Sequence, residues 1–196
     1  MKVAYGLKAH SGWAALVALG KVEGEFVVVD RRRVELVEEE WARQPYHAAE
    51  ELETDEARKV VKGGIDAAYR IANREMCAGL ERERKRKNEV AACAVLVGNP
   101  MPKWSVEQIL AVHFRMHQAE GVLFRDALIN AAQKCSIKVI EVPEKTLLSY
   151  ASEALRTPAA DLLRTIAAIG KSIGPPWGKD QKDAVLAAMI ALGSEE

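Results

Sequence analysis

The sequence predicts an α/β fold, a mixed sheet covered by helices. Three observations carry this: three β-type segments follow one another directly within residues 3–36, helical and strand patterns then alternate, and the intervening helices are long enough to act as crossovers. A crossover of that length returns the chain to start a parallel strand, so the later pairings are parallel and the early ones antiparallel.

The first segment, Val3-Ala4-Tyr5-Gly6-Leu7-Lys8, is apolar and ends in an isolated cation; a tight polar turn joins it to Gly12-Trp13-Ala14-Ala15-Leu16-Val17. The third segment, Glu25 to Leu36, is β-branched and alternates toward its end, as an antiparallel edge strand does. A polar stretch through Arg43-Gln44-Pro45 ends the pattern. Thr54, with Asp55 and Glu56 behind it, starts a helix whose apolar positions Val60, Val61, Ile65, Ala68, Ile71, Ala72, Met76 and Leu80 keep helical spacing. Gly63-Gly64 inside it signals close helix packing or a kink.

Val90 to Gly98 is an unbroken apolar run, the pattern of a strand covered on both faces. Ser105 and Gln108 form a capping-box signal, and Ile109, Val112, Met116, Val122, Leu123, Ala127 and Ala131 predict one long helix, or two in line joined near Gly121. Ile137 to Val142 is a fifth strand. Pro143 and Pro158 each suit the first turn of a following helix, the second behind a Thr157 cap and closed by Gly170. Gly174-Pro175-Pro176-Trp177-Gly178 reads as a stiff loop before a last helix from about Lys179 to Leu192. With no internal repeat or low-complexity linker, residues 1–196 are expected to form a single domain.

Composition narrows the functional classes. The chain has 196 residues, 49% of them hydrophobic, enough for a full core. Lys plus Arg and Asp plus Glu number 28 each, so no net positive field draws the protein toward phosphate, and nucleic-acid binding would have to come from a local patch. Three widely spaced cysteines, Cys77, Cys93 and Cys135, fit a reducing cytoplasm and argue against a disulfide framework or a zinc knuckle. No signal peptide is recognised and no apolar run is long enough to span a bilayer, so a cytoplasmic location without membrane partners is expected.

The two ends of the chain carry a family resemblance. Gly6-Leu7-Lys8 followed by Gly12-Trp13-Ala14, and Asp180-Gln181-Lys182-Asp183-Ala184 followed by Val185-Leu186-Ala187-Ala188, resemble the opening strands and closing helix of the RNase H-like superfamily. RuvC-type Holliday-junction resolvases are the nearest match. The resemblance implies a five-stranded mixed sheet of order 3-2-1-4-5, its second strand antiparallel, with helices on both faces. It also implies a metal site, because phosphodiester hydrolysis in that family needs carboxylates converging on divalent ions.

Carried over residue by residue, Asp180 and Asp183 match the family's helix pair; three apart, they share one face, where the helix dipole favours their ionised form. The strand positions depart from the pattern. Lys8 stands where the family has an aspartate, and Gly98, followed by Asn99, stands where it has a glutamate. Two unit positive charges about 4 Å apart repel by ~4 kcal/mol at an effective dielectric of about 20, and a divalent ion beside a fixed cation doubles that. The sequence therefore predicts a Lys8–Asp183 ion pair in the metal's place. The plainer alternatives are that Lys8 snorkels to solvent and that the two aspartates are ordinary first-turn acids.

Three functions from different classes follow. The favoured one is a catalytically degenerate nuclease homologue that acts in nucleic-acid binding or assembly, as a homodimer and without a metal. The second is an active nuclease using Mg²⁺ or Mn²⁺ with relocated carboxylates, Glu107 and Glu141 being the candidates. The third, an ATP-binding relative with a similar strand–turn–strand opening, ranks last, since that class normally needs two such domains. His10 and Asn99, at the two strand ends, are placed as ligand contacts. His113 and His117 stand four apart with Glu120 one turn further, a spacing able to hold Zn²⁺ but without the HExxH pattern. The basic clusters Arg31-Arg32-Arg33 and Arg82 to Lys87 read as a strand with alternating faces and a solvated helix terminus. Trp13, Trp104 and Trp177 are core residues or, gathered at one sheet end, a stacking surface.

Overall fold

The computed structural model describes residues 1–194, so the last two residues of the expected single domain, 195 and 196, lie outside the described residues. Strands β1 (Lys2–His10), β2 (Trp13–Val22) and β3 (Glu25–Glu35) form an antiparallel meander. Helix α1 (Thr54–Lys85) returns the chain to β4 (Glu89–Val97), which pairs parallel to β1; α2 (Val106–Leu110) and α3 (His113–Lys134) then lead to β5 (Lys138–Pro143), parallel to β4. The sheet order is β3-β2-β1-β4-β5, that of an RNase H-like α/β fold. Helices α4 (Leu147–Ala154), α5 (Ala159–Ile173) and α6 (Lys179–Gly193) complete the chain.

The alternation of β1 divides the core into two layers. Tyr5 and Leu7 face α1 and α3 with Ala68, Ala72, Phe124 and Ala127, while Ala4 faces α6 with Ala92, Ala94, Val185 and Met189. Gly6 lies on the α6 side, and a Cβ there would come 1.8 Å from the Ala184 carbonyl oxygen. The absent side chain lets α6, itself rich in alanine, press directly on the central strand. Residues two apart on a strand share a face, so Lys8, two residues beyond Gly6, is aimed at the first turns of α6.

Several local expectations are corrected. The expected join near Gly121 is absent: α3 runs straight through it, and the break falls at Ala111 and Val112, where Val112 is extended. At Gly63-Gly64 the close approach comes from the segment before α1: Gly64 receives Pro45, whose Cβ would lie 2.5 Å from an added methyl group, with the Trp41 ring 3.4 Å from it. Pro143 ends β5, and a 3₁₀ turn, Glu144–Thr146, separates it from α4. Thr157 does not cap α5; its hydroxyl donates to the Leu155 carbonyl. That helix passes Gly170, which seats Trp177, and ends at Gly174 with φ 70°. The Ser105–Gln108 capping box is present. No helix among the described residues is long and apolar enough to cross a membrane.

Candidate functional site

Lys8 is the centre of a charge cluster where the ends of β1 and β5 meet the start of α6. It is only 5% exposed. Its Nζ lies 2.7 Å from Asp183 Oδ2, 3.2 Å from Asp180 Oδ1 and 3.2 Å from Glu144 Oε1. Burial by itself pulls an ammonium's pKa down, but the bond to Asp183 and the contact with Asp180 outweigh it, so Lys8 is held above its ordinary value of 10.5 and stays charged.

Each carboxylate also meets a second basic group. Lys179 Nζ lies 2.5 Å from the Asp183 oxygen that Lys8 uses, Arg125 Nη2 lies 3.6 Å from Glu144 Oε2, and His10 Nε2 lies 3.3 Å from Asp180 Oδ2. Asp180, Asp183 and Glu144 are thus matched one for one by the permanent cations Lys8, Lys179 and Arg125.

Local structure accounts for this convergence. Asp180 and Asp183 occupy the opening turns of α6, whose entry is held by the Gly178 N–H donating to Gln181 Oε1 at 2.9 Å. The loop before α6 is fixed from the edge strand: Arg31 Nη1 donates to the carbonyls of Gly174 at 2.8 Å and Pro176 at 2.6 Å. Its Nη2 donates to those of Ile173 at 3.3 Å and Pro175 at 3.0 Å. Glu144 arrives from the turn after β5. His10 stacks on Trp13 with centroids 4.2 Å apart and planes 11° from parallel, and the Arg33 guanidinium lies 4.1 Å from the same ring.

The second strand-end position is filled differently. Gly98 follows β4, and a Cβ there would lie 2.6 Å from Arg125 Nη1. The guanidinium thus stands where a side chain at Gly98 would begin. Asn99 is exposed and borders a separate groove with Gly98, Arg125, Asp126 and Glu141. It is not among the residues that surround the Lys8 ammonium.

Neither carboxylate proposed for relocation joins the cluster. Glu107 pairs with Arg58 at 2.5 Å on the surface, and Glu141 faces the Asn99 groove. Glu144, three residues past Glu141, enters instead. The sequence reading missed it because an acid behind a proline looks like an ordinary helix-start residue. It missed Arg125 because a lone arginine at helical spacing reads as surface.

The arrangement does not fit a divalent-metal pair. Metal binding needs carboxylate oxygens free to face the ion, and here the Lys8 ammonium occupies the space among three of them.

The remaining sequence candidates have structural partners. Arg32 pairs with Asp30 at 2.5 Å, and Arg86 with the buried Glu83 at 2.7 Å. Each tryptophan has its own partner: Trp13 the Arg33 guanidinium, Trp104 that of Arg115 at 4.6 Å, and Trp177 the bare face of Gly170. Glu120 is not a third ligand beside His113 and His117: both its oxygens are engaged by His47.

No protein-family model and no curated protein matches the sequence. Among solved structures, the Thermus thermophilus RuvC structure is similar at a TM-score of 0.51 and 13% identity, covering 96% of this chain and 92% of that one. The structure of T. thermophilus RuvC in complex with Holliday junction substrate is similar at a TM-score of 0.53 and 12% identity, covering 100% of this chain and 95% of that one. The fold is therefore RNase H-like and of RuvC type.

Proposed function

We propose that this chain is a catalytically degenerate homologue of the RuvC-type nucleases and acts by binding or assembly instead of cleavage. The observation that supports this reading is the position of Lys8, its ammonium within 2.7–3.2 Å of Asp183, Asp180 and Glu144. An ammonium there supplies the positive charge that a metal ion would otherwise bring, and it cannot activate water or accept a leaving oxygen as a metal does. Asp180 and Asp183 then serve structure, holding α6 to β1 through Lys8.

Nucleic acid is the partner class we assign, on the likeness to a structure solved with a Holliday junction. The balanced charge of the chain and the engagement of Arg31, Arg32 and Arg86 within the fold make that binding dependent on shape more than on a broad basic field. A cytoplasmic homodimer of one RNase H-like domain per chain, with His10 and Asn99 as outer contacts, completes the proposal.

One observation favours a second reading. Glu144 joins Asp180 and Asp183 from a position the family pattern does not supply, so three carboxylates do converge. An active nuclease built on them would require Lys8 to leave the cluster. Incubation with four-way junction and single-stranded DNA in Mg²⁺ or Mn²⁺ separates the readings. Junction binding without cleavage is expected; cleavage lost in Asp183→Ala would overturn the degenerate assignment.

A further inference from the structure

We propose that His47, His113 and His117 form a binding site for a divalent transition-metal ion of the Zn²⁺ type, separate from the Lys8 cluster. One ring nitrogen from each of the three lies within 4.8 Å of the other two. The Nε2 atoms of His113 and His117 are 3.2 Å apart, against ~3.3 Å for the edge of a tetrahedron with zinc–nitrogen bonds of about 2.05 Å. The rings meet edge-on or tilted, with His47 4.6 Å from His117 and 5.0 Å from His113 between centroids, so their nitrogens converge on a common space.

The second, independent observation is Glu120. Its side chain is only 2% exposed, and a carboxylate that deep is costly unless fully engaged. One oxygen accepts the His47 backbone N–H at 3.1 Å; the other lies 2.8 Å from His47 Nδ1. A carboxylate oxygen only accepts, so Nδ1 is the donor in that contact and Nε2 is the nitrogen that faces a metal. A buried carboxylate holding the far nitrogen of an imidazole is the arrangement that orients histidines on zinc and raises their basicity. Glu50 stands 3.6 Å from His113 Nδ1 in a looser version of the same relationship.

The fold brings the ligands together by rigid means. His113 and His117 sit one turn apart at the start of α3, and His47 opens the 3₁₀ turn His47–Ala49; Ala49 of that turn and the preceding Tyr46 are buried in one cluster with Met116 and Ala119. An ion here ties the irregular segment between β3 and α1 to the start of α3. Three imidazoles and no thiolate select borderline metals over Mg²⁺ or Ca²⁺, and they leave one tetrahedral position for water. A groove lined by Ser11, Arg43, Gln44 and His47 adjoins the ligand set.

The test is titration of the tag-free, chelator-treated full chain with Zn²⁺, followed by the absorption spectrum of the Co²⁺ form. One equivalent is expected, with a Co²⁺ spectrum lacking thiolate charge-transfer bands. His113→Asn and His117→Asn, both at exposed positions, are expected to abolish stoichiometric binding while leaving the circular dichroism unchanged. Glu120→Gln is expected to weaken it by about 10–100-fold. Cys77 and Cys135, whose sulfurs lie 3.6 Å apart, are a competing pair, and Cys77→Ser with Cys135→Ser is expected to leave the affinity unchanged. Substoichiometric binding in the unaltered chain, or binding that survives His113→Asn combined with His117→Asn, overturns the proposal.

Discussion

Lys8 Nζ and Asp183 Oδ2 meet at 2.7 Å across 175 residues of chain, joining the end of the central strand to the first turns of the last helix. The contact depends on Gly6, because α6 reaches Lys8 only where β1 carries no side chain. It also depends on neutrality, because Lys179 and Arg125 bring the added cations that three crowded carboxylates need. Four elements far apart in sequence thereby share one charge-balanced junction.

Removing the central charge should destabilise the fold. Lys8→Met keeps much of the volume but leaves Asp180, Asp183 and Glu144 facing one another. The cost should be roughly 3 kcal/mol, the low end for breaking a buried pair, because the carboxylates retain some water. Urea unfolding at neutral pH reads this directly, and restoring part of the loss with Asp183→Asn in the same chain marks it as electrostatic.

The pH dependence has a fixed sign. Lys8 has a folded pKa above its ordinary 10.5, so its contribution is fully present below that value and is lost as the pH rises through the folded one. The urea midpoint of the unaltered protein should therefore fall more steeply above pH 10.5 than that of Lys8→Met. Parallel profiles would remove Lys8 as the source.

Gly6→Ala tests the close approach. The new Cβ would meet the Ala184 carbonyl oxygen at 1.8 Å, and backbone has little room to yield. The expected cost is about 3 kcal/mol or more, at the upper end of overpacking effects. Loss of the alkaline phase assigned to Lys8 should accompany it, since α6 would be pushed off the strand.

Arg31→Ala should loosen the approach to α6 without touching the cluster. Its guanidinium is shared by four consecutive carbonyls, from Ile173 to Pro176. Faster amide exchange through the first turn of α6 is expected, with the exchange of β1 unchanged.

Much of this was legible in sequence because it rests on periodicity. The run Val90 to Gly98 reads as a doubly covered strand, and the small residues after Asp183 read as a buried helix; both are found. Lys8 and the aspartates were legible as a pair only through the family resemblance, which puts all three at positions of one carboxylate site; spacing alone shows no more than that Asp180 and Asp183 share a helix face. Glu144, Arg125 and His47 were not. Glu144 and His47 sit in 3₁₀ turns, where no repeat fixes the side chain's direction, and Arg125 reaches past its own helix to cover the end of β4. Spacing alone sets Glu120 beside His113 and His117 as a weak zinc signal, and only the fold of residues 45–49 turns it toward His47.

The most direct measurement of the central claim is a Mg²⁺ titration followed by the backbone amide signals of Asp180 and Asp183. Mg²⁺ suits because it takes oxygen ligands and leaves imidazoles alone, so the histidine cluster does not contribute. In the unaltered chain we predict no saturable shift at millimolar Mg²⁺, and in Lys8→Asp a saturable one. Saturable binding in the unaltered chain that disappears in Asp183→Ala would contradict the account.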